Sequence, residues 1–116
     1  MGDLSKHFSR SEFACKCGCG FDTVDVELIE NLQAIRSELG PVTITSGCRC
    51  FEYNKKVGGS ANSQHLYGRA ADIVVADLDA WSVQEFCEDE LLPGGLGSYD
   101  SFTHVDSRTG HARWEG

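Results

Sequence analysis

Leu28, Leu32, Ile35 and Leu39 recur at intervals of three and four residues, the period of one face of an α-helix. Thr23 is placed to cap that helix, and Gly40-Pro41 stops it. Glu27, Glu30, Asn31 and Arg36 fall mostly off the stripe and belong to its solvated side. The β-branched run Pro41-Val42-Thr43-Ile44-Thr45 reads as a strand leading into Ser46-Gly47. Phe51 to Val57 reads as a short helix ended by Gly58-Gly59, and Ala70 to Val75 as a buried strand. Asp79 caps a further helix expected over about residues 80–92, with Val83, Phe86, Cys87 and Leu91 inward and Pro93-Gly94-Gly95 as its stop. Leu96 to Tyr99 and Phe102 to Asp106 read as a hairpin around Asp100-Ser101. Ser9-Arg10-Ser11-Glu12 has capping-box spacing and opens a short helix or turn. Helices mixed with hairpin-type joints predict an α+β fold, a small antiparallel sheet flanked by helices. Trp114 is expected to pack as a lid on the core.

At 116 residues the chain is one domain, residues 1–116, with no internal repeat or linker. The formal charge of −8, from 10 Lys+Arg against 18 Asp+Glu, supplies no basic patch, which argues against nucleic acid as a partner. No apolar run approaches the ~18 residues of a membrane span. Met1 to His7 lacks the apolar core of a signal peptide. A monomer made in the cytoplasm is the expectation.

The chemistry concentrates in Ser63-Gln64-His65-Leu66-Tyr67-Gly68-Arg69-Ala70-Ala71-Asp72 and, further on, His104-Val105-Asp106. Two imidazoles and a carboxylate are what a catalytic zinc takes from a protein when a fourth position stays open. One helix cannot carry His65 and Asp72 to the same ion: seven residues span roughly 10 Å at about 1.5 Å each. His65 therefore belongs on a loop that Gly68 turns back, with Asp72 on the strand that follows and the small Ala70 leaving room on the same face. Taken singly, each has a plainer reading, as a loop histidine, an exposed aspartate or a half-buried strand histidine. Against that, Asp72 lies inside the apolar run Ala70-Ala71-Asp72-Ile73-Val74-Val75, where an uncompensated carboxylate is costly and a metal compensates it.

Ser63-x-His65-x-x-Gly68-x-Ala70-x-Asp72 resembles the signature of the zinc D-alanyl-D-alanine carboxypeptidase family, which includes L-alanyl-D-glutamate endopeptidases and shares its fold with hedgehog domains. Phe8 to Phe13 with Cys15-Lys16-Cys17-Gly18-Cys19-Gly20 is similar to the N-terminal block of the small single-domain members. Thr45-Ser46-Gly47-Cys48-Arg49 is similar to their Ser-Gly-x-Arg block, and Phe102 to Asp106 to their last ligand strand. The resemblance implies one catalytic zinc on His65, Asp72 and His104, and hydrolysis of an amide bond in peptidoglycan stem peptides at the cell wall, in a protein of phage or bacterial origin. It implies that Arg49 holds the substrate's carboxylate or backbone, a task that suits a guanidinium fork, and that Ser63 donates to substrate or steadies His65.

The chain departs from the family's pattern at the general base. Where an acid or histidine is expected two or three residues before the last ligand, Phe102 and Ser101 stand. Asp106, two residues after His104 and on the same strand face, is the preferred replacement, as base or as partner of a ligand; Asp100 is the rival. That departure favours a competing reading, a non-catalytic zinc-binding recognition domain of the same fold. Cys15, Cys17, Cys48 and Cys50 pair at Cys-x-Cys spacing and admit disulfides, a second, structural zinc or reduced thiols. A zinc held there would make the chain a cysteine-zinc interaction module, a third class. Cys87, in an apolar stripe, reads as a buried thiol. His7 and His111 receive no role.

Overall fold

A computed structural model describes residues 3–90 and 94–116. The elements in chain order are α1 (Val26–Leu39), β1 (Val42–Ser46), α2 (Phe51–Lys56), β2 (Ala70–Val75), α3 (Ala80–Glu90), β3 (Gly94–Ser98), β4 (Thr103–Asp106) and β5 (His111–Glu115), with short 3-10 turns at Arg10–Glu12 and Gln64–Tyr67. The strands form one five-stranded sheet in the order β1-β2-β4-β3-β5. The class is α+β, as the sequence predicts, and one detail differs. β5 runs parallel to β3, so the sheet is mixed, while every other pair is antiparallel. The reason is topological: β2 and β3 flank β4, and the chain leaving β4 adds to the free edge of β3. Having reversed at Gly110 (φ 96°), it runs alongside β3 rather than against it.

The apolar stripe of α1 packs against one face of this sheet. Leu28, Leu32 and Ile35 are buried with Ile44, Ile73, Val75, Leu96 and Val105, and Phe8 and Phe13 close one end. Each such side chain contributes on the order of 1.5–3 kcal/mol through the apolar area it removes from water. Val83 and Cys87 of α3 are buried and Phe86 packs beside them; Leu91, Leu92 and Pro93 of the expected helix end lie outside the described residues. Asp79 caps α3 through Ser82 N, which donates to Oδ1 at 2.9 Å. The Ser9 N–H donates to Glu12 Oε2 at 2.7 Å, as the capping-box spacing implies.

The cap of α1 is Asp25 and not Thr23. The Thr23 carbonyl instead lies beneath Gly68, where an added Cβ would run into it. Asp25 binds both sides of the later site: its N–H donates to Gly68 O at 2.8 Å, and its Oδ2 accepts from Ser107 Oγ at 2.7 Å. Among the described residues no helix is long and apolar enough to cross a membrane.

Candidate metal centre

The face of the sheet turned away from the core carries the site, and strand register assembles it. Ser46 of β1 pairs with Asp72 of β2, Asp72 with His104 of β4, His104 with Gly97 of β3, and Gly97 with Trp114 of β5. One lateral row thus sets Asp72 beside His104, because residues opposite one another on adjacent strands hold their Cβ atoms within about 5.5 Å. Gly97 has no side chain, so the Trp114 ring lies across it and reaches His104 at 4.9 Å between centroids.

His65 arrives from outside the sheet, on the 3-10 turn Gln64–Tyr67. Ser63 Oγ accepts from His65 N at 3.2 Å, and Gly68 (φ 68°) reverses the chain into β2 through a left-handed conformation that glycine adopts without strain. Arg49 N donates to His65 O at 2.9 Å, which ties this turn to the loop after β1.

The tautomers follow from the partners. His65 Nδ1 lies 2.6 Å from Gly47 O, a carbonyl that only accepts, so the proton sits on Nδ1 and the Nε2 lone pair is free. His104 Nε2 lies 2.8 Å from Asp106 Oδ2, which likewise leaves the Nδ1 lone pair free. Both free nitrogens face the same carboxylate oxygen, Asp72 Oδ1, from 3.3 Å (His65) and 3.1 Å (His104). With both rings neutral, three acceptor atoms converge with no proton of their own to share, and all three residues are buried. A cation satisfies them. Donors around a tetrahedral zinc at 2.0–2.1 Å stand about 3.3 Å apart, close to the distance of each histidine nitrogen from Asp72 Oδ1. Burial pushes the Asp72 carboxyl up, but the His104 and His65 imidazoles beside it outweigh that and hold it well below the usual range. Burial lowers His104, and the neighbouring Asp106 and Asp72 carboxylates outweigh that and raise it.

Asp106, which the sequence offers as base or partner, has a fully buried side chain. It accepts from His104, from Gly95 N at 2.9 Å, and from Arg108 Nη2 at 2.7 Å. Burial raises its carboxyl, and the bonds from His104 and Arg108 bring it well below the usual range. Asp100 is exposed at the β3–β4 turn and borders a different hollow, with Gln84 and Glu85. Neither lines the cleft over the three ligand atoms.

That cleft, about 580 Å³, is bordered by Arg49, Ser63, Asn62, Tyr99, Arg108 and Trp114, among others. Arg49 Nη2 reaches Asp72 Oδ2 at 3.4 Å, while Nε donates to Ser46 Oγ and Nη1 to Asn54 Oδ1, both at 3.2 Å. Trp114 is therefore a wall of the cleft and not a core lid; its Nε1 donates to Tyr99 Oη at 2.9 Å, and Arg108 stacks on its ring at 5.1 Å. Tyr99, Arg108 and Trp114 are the cleft residues that sequence reasoning missed. The alternation of Leu96-Gly97-Ser98-Tyr99 hinted at a bare strand face, but nothing in it indicated which aromatic covers that face.

The thiols also gather, in a set that differs from the expected one. Cys15, Cys17, Cys19 and Cys50 bring their Sγ atoms within 4.8 Å of one another. Cys48 is not among them: it is buried and donates from Sγ to Phe21 O at 3.0 Å.

Residues 6–106 match the Peptidase M15 family. A zinc D-Ala-D-Ala carboxypeptidase of Streptomyces albus G is 34% identical over 80 residues, an alignment covering 64% of this chain and 31% of that relative. The chain therefore spans about a third of the relative's length. With the family match running through the first cysteines, Arg49 and the three converging donors, the chain belongs to the peptidase M15 family.

Proposed function

We propose that the chain is a zinc-dependent peptidase that hydrolyses an amide bond in the stem peptides of peptidoglycan, with the ion on His65, Asp72 and His104. The observation that carries this reading is the convergence of His65, Asp72 and His104 on the floor of an open cleft, with each histidine nitrogen 3.1–3.3 Å from Asp72 Oδ1. Family membership and the substrate in the relative's name support the substrate class. Bound there, zinc supplies Lewis acidity towards a carbonyl and lowers the pKa of water to near 7.

The chain's own groups do the rest. Arg49 borders the cleft beside Asp72 and binds the substrate's carboxylate or carbonyl oxygens. Ser63 Oγ accepts from His65 N, which leaves its O–H free to donate to the peptide backbone. Tyr99 accepts from Trp114, so its own O–H is available to the charge that develops on the substrate. Asp106 is a positioning residue that orients His104 through Nε2 and raises its basicity as a ligand. The test is digestion of purified peptidoglycan by zinc-loaded protein, with fragments read by mass spectrometry. New amine termini should appear, vanish with a chelator and return with zinc. Cleavage at D-Ala-D-Ala or at L-Ala-D-Glu would be told apart by fragment mass. Tyr99→Phe should lower kcat by up to about 10²-fold with little change in KM. Absence of new termini from fully loaded protein would overturn the peptidase reading.

One observation favours a second reading. Among the described residues Asp72 is the sole carboxylate bordering the cleft, so no separate acid stands ready to accept a proton. A recognition domain that binds stem peptides without cutting them fits that arrangement, and predicts retention on peptidoglycan with no fragments released.

A further inference from the structure

We infer that Cys15, Cys17, Cys19 and Cys50 hold a second zinc ion, in a four-thiolate structural site that pins the N-terminal hook to the loop carrying Arg49.

Geometry comes first. Cys15 and Cys17 Sγ are 3.5 Å apart, and Cys17 and Cys50 Sγ 3.6 Å. Sulfurs on a tetrahedral zinc at 2.3 Å stand about 3.8 Å apart, whereas a disulfide brings them to about 2.05 Å. Four sulfurs mutually within 4.8 Å match the first arrangement and leave no obvious pairing for the second.

The backbone is shaped for such an ion. Gly18 N donates to Cys15 O at 3.2 Å, and Gly18 (φ 81°) and Gly20 (φ 91°) take left-handed conformations that wrap the chain around the sulfurs. Cys15 N then donates to Phe21 O at 2.7 Å and closes the loop. Two more backbone N–H groups point at sulfur: Cys50 N to Cys15 Sγ and Tyr53 N to Cys50 Sγ, both 3.4 Å. Such donors stabilise thiolates over thiols.

Beyond those backbone hydrogen bonds, packing does not hold this turn. Every residue from Lys16 to Gly20 is exposed and outside helix or strand, so no buried apolar area fixes it. A divalent ion lets all four thiols ionise together. Cys48, its thiol donating to Phe21 O, lies outside the cluster.

The consequence concerns the cleft. Cys50 directly follows Arg49, and Cys48 N donates to Phe13 O at 2.9 Å on the other side. An ion on Cys50 therefore fixes the backbone from which Arg49 projects.

The test uses full-length protein kept reduced by a non-chelating reductant. Elemental analysis should find two zinc ions per chain, one in Cys19→Ser, one in His65→Ala and two in Cys48→Ser. Cobalt-loaded protein should show an intense near-ultraviolet thiolate-to-cobalt band that survives His65→Ala and Cys48→Ser and is lost in Cys19→Ser. A cobalt-loaded unaltered chain without that band overturns the proposal, whatever the variants do. So does a band that vanishes with Cys48→Ser and persists in Cys19→Ser. Because His65→Ala reports the other ion separately, either failure leaves the peptidase reading standing.

Discussion

The two ligand clusters of this small domain are built in opposite ways. His65, Asp72 and His104 are buried, two of them come from paired strands, and each histidine's second nitrogen is already bonded. Cys15, Cys17 and Cys19 sit on a turn without regular structure, with Cys17 and Cys19 exposed and Cys50 across from them. The first cluster exists because the sheet exists, so it can hold an ion with three ligands and leave a coordination position for substrate. The second has four sulfurs and little else, so ion binding and local folding are one event there. Rigidity before binding suits chemistry; a closed four-ligand set suits a staple.

That contrast can be broken most severely at Asp72. Asp72→Asn keeps the volume and removes the charge between two imidazoles, so hydrolysis should fall to background while circular dichroism of the fold is retained. A variant that stays active would mean the sheet cluster is not the reaction centre. Next in size is Asp106→Asn, which should weaken zinc binding or activity about 10–100-fold by releasing His104. Asp100→Ala, outside the cleft, should leave both unchanged. Equal loss in the two variants would contradict the buried, bonded geometry of Asp106.

A milder perturbation separates the clusters directly. Thiol oxidation by diamide should release one zinc equivalent and lower Tm, by roughly 4 °C for each kcal/mol of stabilisation lost in a domain of this size. The ion on His65, Asp72 and His104 should be retained, as counted by elemental analysis. Simultaneous loss of both ions would show that the hook and the sheet are not independent.

The smallest expected effect comes from Cys87, a buried sulfur far from either role. Burial pushes its thiol from 9.0 up to about 12, against a weaker pull from Arg113. Above pH 9 the unfolded chain loses this proton and the folded chain keeps it, so stability should fall as pH rises from 9 towards 12. The slope reaches at most about 1.4 kcal/mol per pH unit. Cys87→Ala should flatten that part of the denaturation profile relative to the unaltered chain. Identical slopes would show that the sulfur is not held neutral.

Much of this was legible before any coordinates. The helix stripe through Leu28, Leu32 and Ile35, the strand at 70–75 and the Gly68 reversal between His65 and Asp72 are local patterns, set by residue spacing and by glycine's access to left-handed backbone. What misled was mostly long-range. Thr23 has the chemistry of a cap, but it packs against Gly68, 45 positions later, and Asp25 caps the helix, its N–H bonded to Gly68 O. Cys-x-Cys spacing suggested Cys48, although neighbours two apart on an extended segment need not share a target once one of them meets Phe21 O. Gly95 reads as part of a helix stop and Gly97 as an ordinary strand position; their absent side chains make room for the Asp106 carboxylate and the Trp114 ring.

By itself, then, the sequence determined which groups were available and the local geometry that presents them: a histidine on a turn, an aspartate buried in an apolar strand, a histidine and an aspartate two apart on one face. Only the tertiary structure decided which of them meet. The order β1-β2-β4-β3-β5 sets Asp72 against His104, leaves Gly97 as a gap and lays Trp114 across it. Such pairings depend on which strand edges remain free as the chain adds to the sheet, and no single segment's residue pattern contains that information.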